Sequence, residues 1–262
     1  MKKKLTEALE QKGLEVISII AALTLWQLAA DLIVKNKLLL PSFTDSFASF
    51  LEVVENGVIF TDIWVSLLHF GIGLTLALVI GIPIGIIMGW FKTANRILDP
   101  LIEIIRPIPP LAWIPFAIVW FGLTHQSAGF VVFLGAVFPI IINTFTGFRS
   151  IPRVYVEAAR VLGCMRDRDL IRHVALPSAL PSIVAGIRIS MGIGWMCLVA
   201  AEMFGVSKNG LGHKIWWHYY LHQMDSVLVY MLILGFLGLL IDRSFRHFTD
   251  KRLLKWRSGV VV

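Results

Sequence analysis

Charge is what this sequence has least of. Asp, Glu, Lys and Arg make up only 16% of its 262 residues, against roughly a quarter in soluble domains. That scarcity excludes an ordinary soluble domain. Cysteine is scarce too: Cys164 and Cys197 are the only two, which rules out a disulfide framework, and no Cys/His spacing suits a metal. Both are read as structural. The net charge is +7, yet no segment interleaves basic and aromatic residues as a nucleic-acid groove would, so no nucleic-acid partner is expected. The N-terminus carries Lys2, Lys3 and Lys4 ahead of an apolar run, but the small-residue cleavage site of a secretory signal is missing. It reads as a retained first helix.

What the sequence has in abundance is oil. Hydrophobic residues are 57% of the chain, arranged in runs of the roughly 20 residues that cross a bilayer as a helix. The first span is Glu15 to Val34. Phe43, Phe47, Phe50, Leu51 and Val54 recur at helical spacing within 42–56, as in a helix lying at the interface. Span two, Trp64 to Trp90, contains Gly71, Gly73, Gly81, Gly85 and Gly89 and offers small-residue faces for close packing. Span three is placed at Arg106 to Gly122, where Pro107, Pro109, Pro110 and Pro115 remove amide donors and bend the backbone. Ser127 to Phe148, Ala179 to Phe204 and Ser226 to Ile241 complete six spans, an all-α polytopic bundle.

Alternate connecting segments hold nineteen Lys and Arg residues against four. The positive-inside rule therefore predicts that both termini, and the segment 149–176, face the cytoplasm of a multi-pass inner-membrane protein. The expected organisation is an N-terminal helix with an external interfacial helix over 1–58, a membrane core over 59–243 and a cytoplasmic tail over 244–262.

The segment 149–176 is the exception to the scarcity of charge, with six arginines. Ser150-Ile151-Pro152 predicts a capped helix start and Gly163 a stop that tolerates positive φ. Asp167 or Asp169 suits the first turn of a second short helix that Pro177 ends before span five. Val154, Ala158, Val161, Leu162 and Met165 supply an apolar stripe and the arginines a polar one. An ordinary solvated loop fits this pattern as well as a docking surface does.

The run Glu157-Ala158-Ala159, Gly163, Val174 and Leu176-Pro177 resembles the EAA motif of type I ABC importer permeases. ILDPLIEIIRPIPPLAWIPFAIVWFG, GIPIGIIMGW and ALPSIVAGIRISMGIGWMCLVAAEMF are similar to the corresponding blocks of the nitrate, sulfonate, taurine and bicarbonate subfamily. One departure from the motif is visible. Ten residues, Cys164 to His173, stand where nine are usual, and one extra residue turns a helix by about 100°.

The resemblance implies the type I permease fold, with cytoplasmic coupling helices that seat in two ATPase subunits. The implied docking residues are Glu157, Ala158, Ala159, Arg160, Gly163, Asp167, Leu176 and Pro177. It implies no catalytic residue and no cofactor or metal in this chain, ATP and Mg being used by the partner ATPases. The implied partners are a second copy of the permease and an extracytoplasmic binding protein, within membrane lipid, with the aromatic residues Trp216 to Tyr220 helping to receive the binding protein or forming an interface belt. The implied cargo is a small anion, sulfonate or taurine first, nitrate or bicarbonate next. Glu202, Asn143, Thr144, Trp195 and Arg106 are the pathway candidates. For Glu202 a gating role and an intersubunit hydrogen bond that fixes packing both remain open; for Asn143 and Thr144, bonding within the bundle is the alternative, and for Arg106 an ion pair with Glu103. His69 reads as a packed, hydrogen-bonded histidine, and Arg188 as a structural cation with a partner. A polytopic membrane enzyme would need a cluster such as His213, His218 and His222, of which 218 and 222 have the spacing of one helix face. A passive channel would have no use for an EAA segment.

Overall fold

A computed structural model describes residues 2–253, and among these every regular element is a helix. Five helices are long and apolar enough to cross a membrane, within Ile17–Val34, Val58–Trp90, His125–Arg149, Asp167–Met203 and Met224–Arg252. A sixth crossing exists if the bent pair Lys92–Ile105 and Pro110–Phe121 counts as one. The chain forms two compact units, one of residues up to Thr61 with Lys214–Ile233, the other of Asp62–His213 with the residues from Leu234 onward.

In the first unit, α1 (Lys2–Leu28) runs on through a π turn, Ala29–Val34, and stops at Lys35, whose φ is 52°. The interfacial helix is α2 (Phe43–Glu55). Ser42 starts it by accepting the Asp45 N–H at 3.1 Å while its hydroxyl donates to the Asp45 carboxylate at 2.9 Å, a reciprocal cap that satisfies otherwise orphaned donors. Trp26 Nε1 donates to the Pro41 carbonyl at 3.0 Å, and Gln27 Oε1 accepts from the Thr44 N–H at 3.1 Å, which ties α1 to the start of α2.

The Lys37 ammonium lies 2.9 Å from Asp45. Lys37 first, and Ser42 next, hold the Asp45 carboxyl below its ordinary 3.8. A depressed carboxylate contributes stability above its unfolded value and loses it as pH falls through the folded one. Amide exchange in the first turn of α2 should therefore rise as pH drops below about 3.8, and Asp45→Asn should remove that response. The effect is small because the pair is exposed.

In the second unit, α3 (Val58–Trp90) packs along α6 (His125–Arg149). Gly73, Gly81, Gly85 and Gly89 meet Val132, Ile140, Thr144 and Phe148, with Ala77 buried between. Every fourth residue on each helix is at the contact, and a methyl added at Gly85 would stand 2.5 Å from Thr144 Cβ and 2.8 Å from the Ile141 carbonyl. Small residues let the two backbones approach, the main attraction available where lipid is as apolar as leucine. Gly71 lies off this line, with open space around it. α6 also packs against α9 (Leu176–Met203), where Gly135 faces Cys197, Gly147 faces Ser182 and Gly186 faces Asn143.

Two expectations are corrected here. The third span does not begin at Arg106: α4 (Lys92–Ile105) is helical and α5 (Ile114–Phe121) follows a 3-10 turn at Pro110–Trp113, the two halves bent by 83°. Eight residues rise only about 12 Å, so α5 cannot cross alone. The prolines at 107, 109 and 110 break the backbone hydrogen bonding where a single helix was expected.

Nor does Pro177 separate a second short helix from span five. α8 (Asp167–Leu170), a π turn at Ile171–Ala175 and α9 form one uninterrupted helix, Asp167–Met203. Within the π turn the Leu176 N–H reaches Ile171 O. The wider turn gives the Pro177 ring, which lacks an N–H, room beside the preceding carbonyls.

α7 (Arg153–Val161) lies between α6 and this long helix. α10 (Leu211–Tyr220) and α11 (Met224–Phe248), extended by a π turn over Thr249–Leu253, complete the chain. The segment expected as a tail from 244 is therefore helical to Leu253, and 254–262 lie outside the described residues.

Candidate functional site

The charged insert forms the short helix α7 and the turn after it, with apolar side chains left exposed. α7 starts after Pro152, not on a Ser150 cap: the Ser150 hydroxyl donates to the Gly147 carbonyl at 3.0 Å instead. Its end is as expected. Gly163 has φ 96°, its N–H reaches Arg160 O at 3.0 Å and the Cys164 N–H reaches Ala159 O at 3.0 Å, the paired bonds of a Schellman stop. Val154, Val161, Leu162 and Met165 are 67%, 88%, 85% and 77% exposed. Ala158 and Glu157 are exposed beside them, whereas Ala159 is buried.

Glu157, Arg160 and Asp167 line a groove of about 990 Å³ with Lys92, Arg149 and Arg153. The structure thus brings three of the eight predicted docking residues together. Leu176 is half-buried against the cluster around Phe148 and Ala179, while Pro177 is exposed on the continuing helix.

The pathway candidates separate. Arg106 and Asn143 line one groove of about 380 Å³, otherwise walled by Ile108, Leu134, Phe138, Ile142, Ile189 and Ile193 with Pro110, Gly135 and Pro139. Asn143 spends an amide hydrogen on the Pro139 carbonyl at 2.9 Å. Thr144 is fully buried against Gly85, and Trp195 is buried edge-on to Phe70 with ring centroids 5.3 Å apart. Neither faces the groove.

Glu202 is also fully buried. Its carboxylate accepts from Ser66 Oγ at 2.9 Å, from the Gly212 N–H at 2.9 Å and from the ring of His69, whose Nδ1 is 2.8 Å away. Beside it the Gly210 N–H donates to Asp62 Oδ1 at 3.1 Å and the Leu211 N–H to Ser66 Oγ at 2.9 Å. Three consecutive amides thus hang on side chains of α3 and α9. Gly210 has φ 129°, and a Cβ there would stand 2.5 Å from Glu202 Cδ, so the turn requires glycine.

His69 is packed and hydrogen-bonded, as its sequence setting suggests, and its second nitrogen meets His125 Nδ1 at 2.7 Å. Arg188 finds its partner in Asp242, through two bonds of 2.8 and 3.1 Å. Sequence reasoning missed Asp62, Ser66 and His125, because nothing local marks a serine in an apolar helix as the partner of a glutamate 136 residues away. The proposed His218/His222 face does not exist: His222 lies beyond α10 with φ 58°, and His218 pairs with Gln223 at 2.7 Å. Among the described residues no group of three His, Cys, Asp or Glu is placed to hold a metal.

Comparison with known proteins is consistent across sequence and fold. Residues 81–253 match the family model described as binding-protein-dependent transport system inner membrane component. A protein of Bacillus subtilis strain 168, provisionally named an aliphatic sulfonates transport permease, is 36% identical over 248 residues, 95% of this chain and 88% of that protein. The bicarbonate transport system permease protein of Synechococcus elongatus is 41% identical over 171 residues, 65% of this chain and 61% of that protein. A solved structure of the MetNI methionine ABC transporter, in an inward-facing conformation, is similar with a TM-score of 0.58 and 25% identity, covering 72% of this chain and 96% of the matched one. The chain therefore belongs to the binding-protein-dependent inner-membrane component family, the non-enzymatic permease subunits of ABC importers.

Proposed function

We propose that this permease works as a homodimer whose two α7 helices seat in two cytoplasmic ATPase subunits, while an extracytoplasmic binding protein delivers a small anion to the opposite side. The ATPases bind ATP and Mg; this chain supplies the mechanical connection. Both termini then lie in the cytoplasm, a reading supported by the division of nineteen Lys and Arg residues against four. Residues 59–243 act as the transport core in this scheme.

The observation that carries the docking assignment is the exposed row Val154, Val161, Leu162 and Met165 beside Glu157 and Arg160. Apolar side chains on a helix and its following turn that the chain itself leaves uncovered mark a surface for a partner. Replacing Glu157 by Trp and Gly163 by Val should cut co-purification of the ATPase at least tenfold, about 1.4 kcal/mol. Unchanged association of the double variant would sink the assignment. Gly163 has open space around it, so its replacement strains only the turn.

For the cargo, the groove shared by Arg106 and Asn143 supplies one cation above an apolar wall. That combination suits an anion carrying an aliphatic portion, such as a sulfonate or taurine. Bicarbonate is the second reading, favoured by the 41% identity to a bicarbonate permease; nitrate follows on the same reasoning from charge. Uptake by membrane vesicles containing the complete transporter, with alkyl sulfonates competing against bicarbonate, separates these readings.

A further inference from the structure

The transport scheme uses neither His69 nor His125, yet they form a continuous line with Glu202. Glu202 Oε1 is 2.8 Å from His69 Nδ1, and His69 Nε2 is 2.7 Å from His125 Nδ1. Glu202 and His69 are wholly buried, whereas His125 is exposed at the first turn of α6. We propose that Glu202 and His69 form a buried proton-binding site that is loaded from the aqueous surface through His125.

The hydrogen-bond inventory defines two arrangements. An ionised carboxylate only accepts, so it requires the hydrogen on His69 Nδ1. Neutral His69 then has an accepting Nε2, and His125 must donate from Nδ1. A proton arriving at His125 Nε2 lets His125 pass its Nδ1 hydrogen to His69 Nε2. One N–H bond forms and one breaks at each transfer, and the positive charge comes to rest on His69 against Glu202. Nothing is oxidised or reduced, and no group other than the proton moves.

Occupancy matters because of what the site holds. Asp62 is buried as well, at 1% exposure, so the unloaded cluster contains two acids, whose partners include Ser66, the amides of residues 210 and 212 and neutral His69. Buried negative charge is costly, and an imidazolium against Glu202 offsets part of it. Lys208 on the turn and His213 just after it, in α10, are the other ionisable groups of the segment 205–213. The proton therefore tightens the tie between α3, α9 and the turn 205–212.

Hydrogen exchange of peptides covering 205–213, in the full chain in lipid nanodiscs and corrected for intrinsic pH dependence, tests this. Protection in the wild type should fall about tenfold as pH is raised and the bound proton leaves. His69→Gln should abolish that dependence. His125→Gln, an exposed substitution that leaves the buried bonds of Glu202 in place, should keep the two end states but slow the change after a pH jump. Protection that ignores pH in the wild type overturns the site, as does dependence that survives in His69→Gln. A jump response equally fast in His125→Gln overturns the route through His125.

Discussion

Replacing Glu202 by Ala should cost this protein about 3–5 kcal/mol of stability, the penalty for removing one partner from a buried, hydrogen-bonded charge cluster. The size follows from what is left behind. Ser66 Oγ, the His69 ring and the Gly212 N–H all lose their acceptor in a place where none is exposed to water, and each orphaned group carries its own desolvation penalty. The missing side chain also leaves a void beneath Gly210, which packs directly on the carboxylate. Glu202→Gln should be milder, since it retains one accepting oxygen and the same volume. Thermal unfolding in detergent checks both variants. Melting of the alanine variant at the wild-type temperature would show that the cluster does not hold the α3, α9 and turn junction together.

The second large effect lies on the glycine line of α3. Gly85→Leu should destabilise the protein by about 3 kcal/mol, whereas Gly71→Leu, only fourteen residues away on the same helix, should stay within about 0.5 kcal/mol. At Gly85 the first added carbon meets Thr144 Cβ at 2.5 Å and the Ile141 carbonyl at 2.8 Å, and a backbone carbonyl inside a helix cannot swing aside. At Gly71 there is nothing within 4 Å. Both changes remove a glycine from a helix and add the same side chain, so propensity and hydrophobicity cancel in the comparison. Equal denaturation midpoints for the two variants would show that the close approach of α3 and α6 is not what the glycines provide.

Elements whose cause is local were readable in advance. The interfacial helix within 42–56, the stop at Gly163 and the small-residue face of α3 are each encoded within a few residues. Span four, Ser127 to Phe148, came out within two residues of its observed ends, whereas the helices of spans five and six continue well past the expected bounds, from Asp167 and to Arg252. Span three failed because apolar content alone favoured 106–122, while the amphipathic pattern of 92–105 looked like a connecting segment. The prolines were visible, but the 83° bend they permit depends on what the two halves pack against.

The Glu202 cluster was beyond reach for a related reason. Its members come from positions 62, 66, 69, 125, 202 and 210–212, and only tertiary packing makes them neighbours. His69 could be read as packed and bonded, but not to what. The extra residue in the EAA spacing was legible as a problem, and its resolution was not. A π turn is the form an α-helix takes when it absorbs one inserted residue, and the π turn at Ile171–Ala175 overlaps the end of the lengthened stretch.

The unbroken helix Asp167–Met203 then has a mechanical meaning. Its 37 residues extend about 55 Å at about 1.5 Å per residue, nearly twice the hydrocarbon thickness of about 30 Å. One end carries Asp167, at the insert; the other carries Glu202, under the Gly210 turn. Such an element links its two ends through one helix, with the π turn at Ile171–Ala175 and Pro181 along its length. A tilt of about 5° about its midpoint displaces each tip by about 2.4 Å for an arm of about 27 Å, close to the length of one hydrogen bond. In the proposed docking scheme, a push at the insert is carried, reversed in direction, to the far end where three backbone amides are hung.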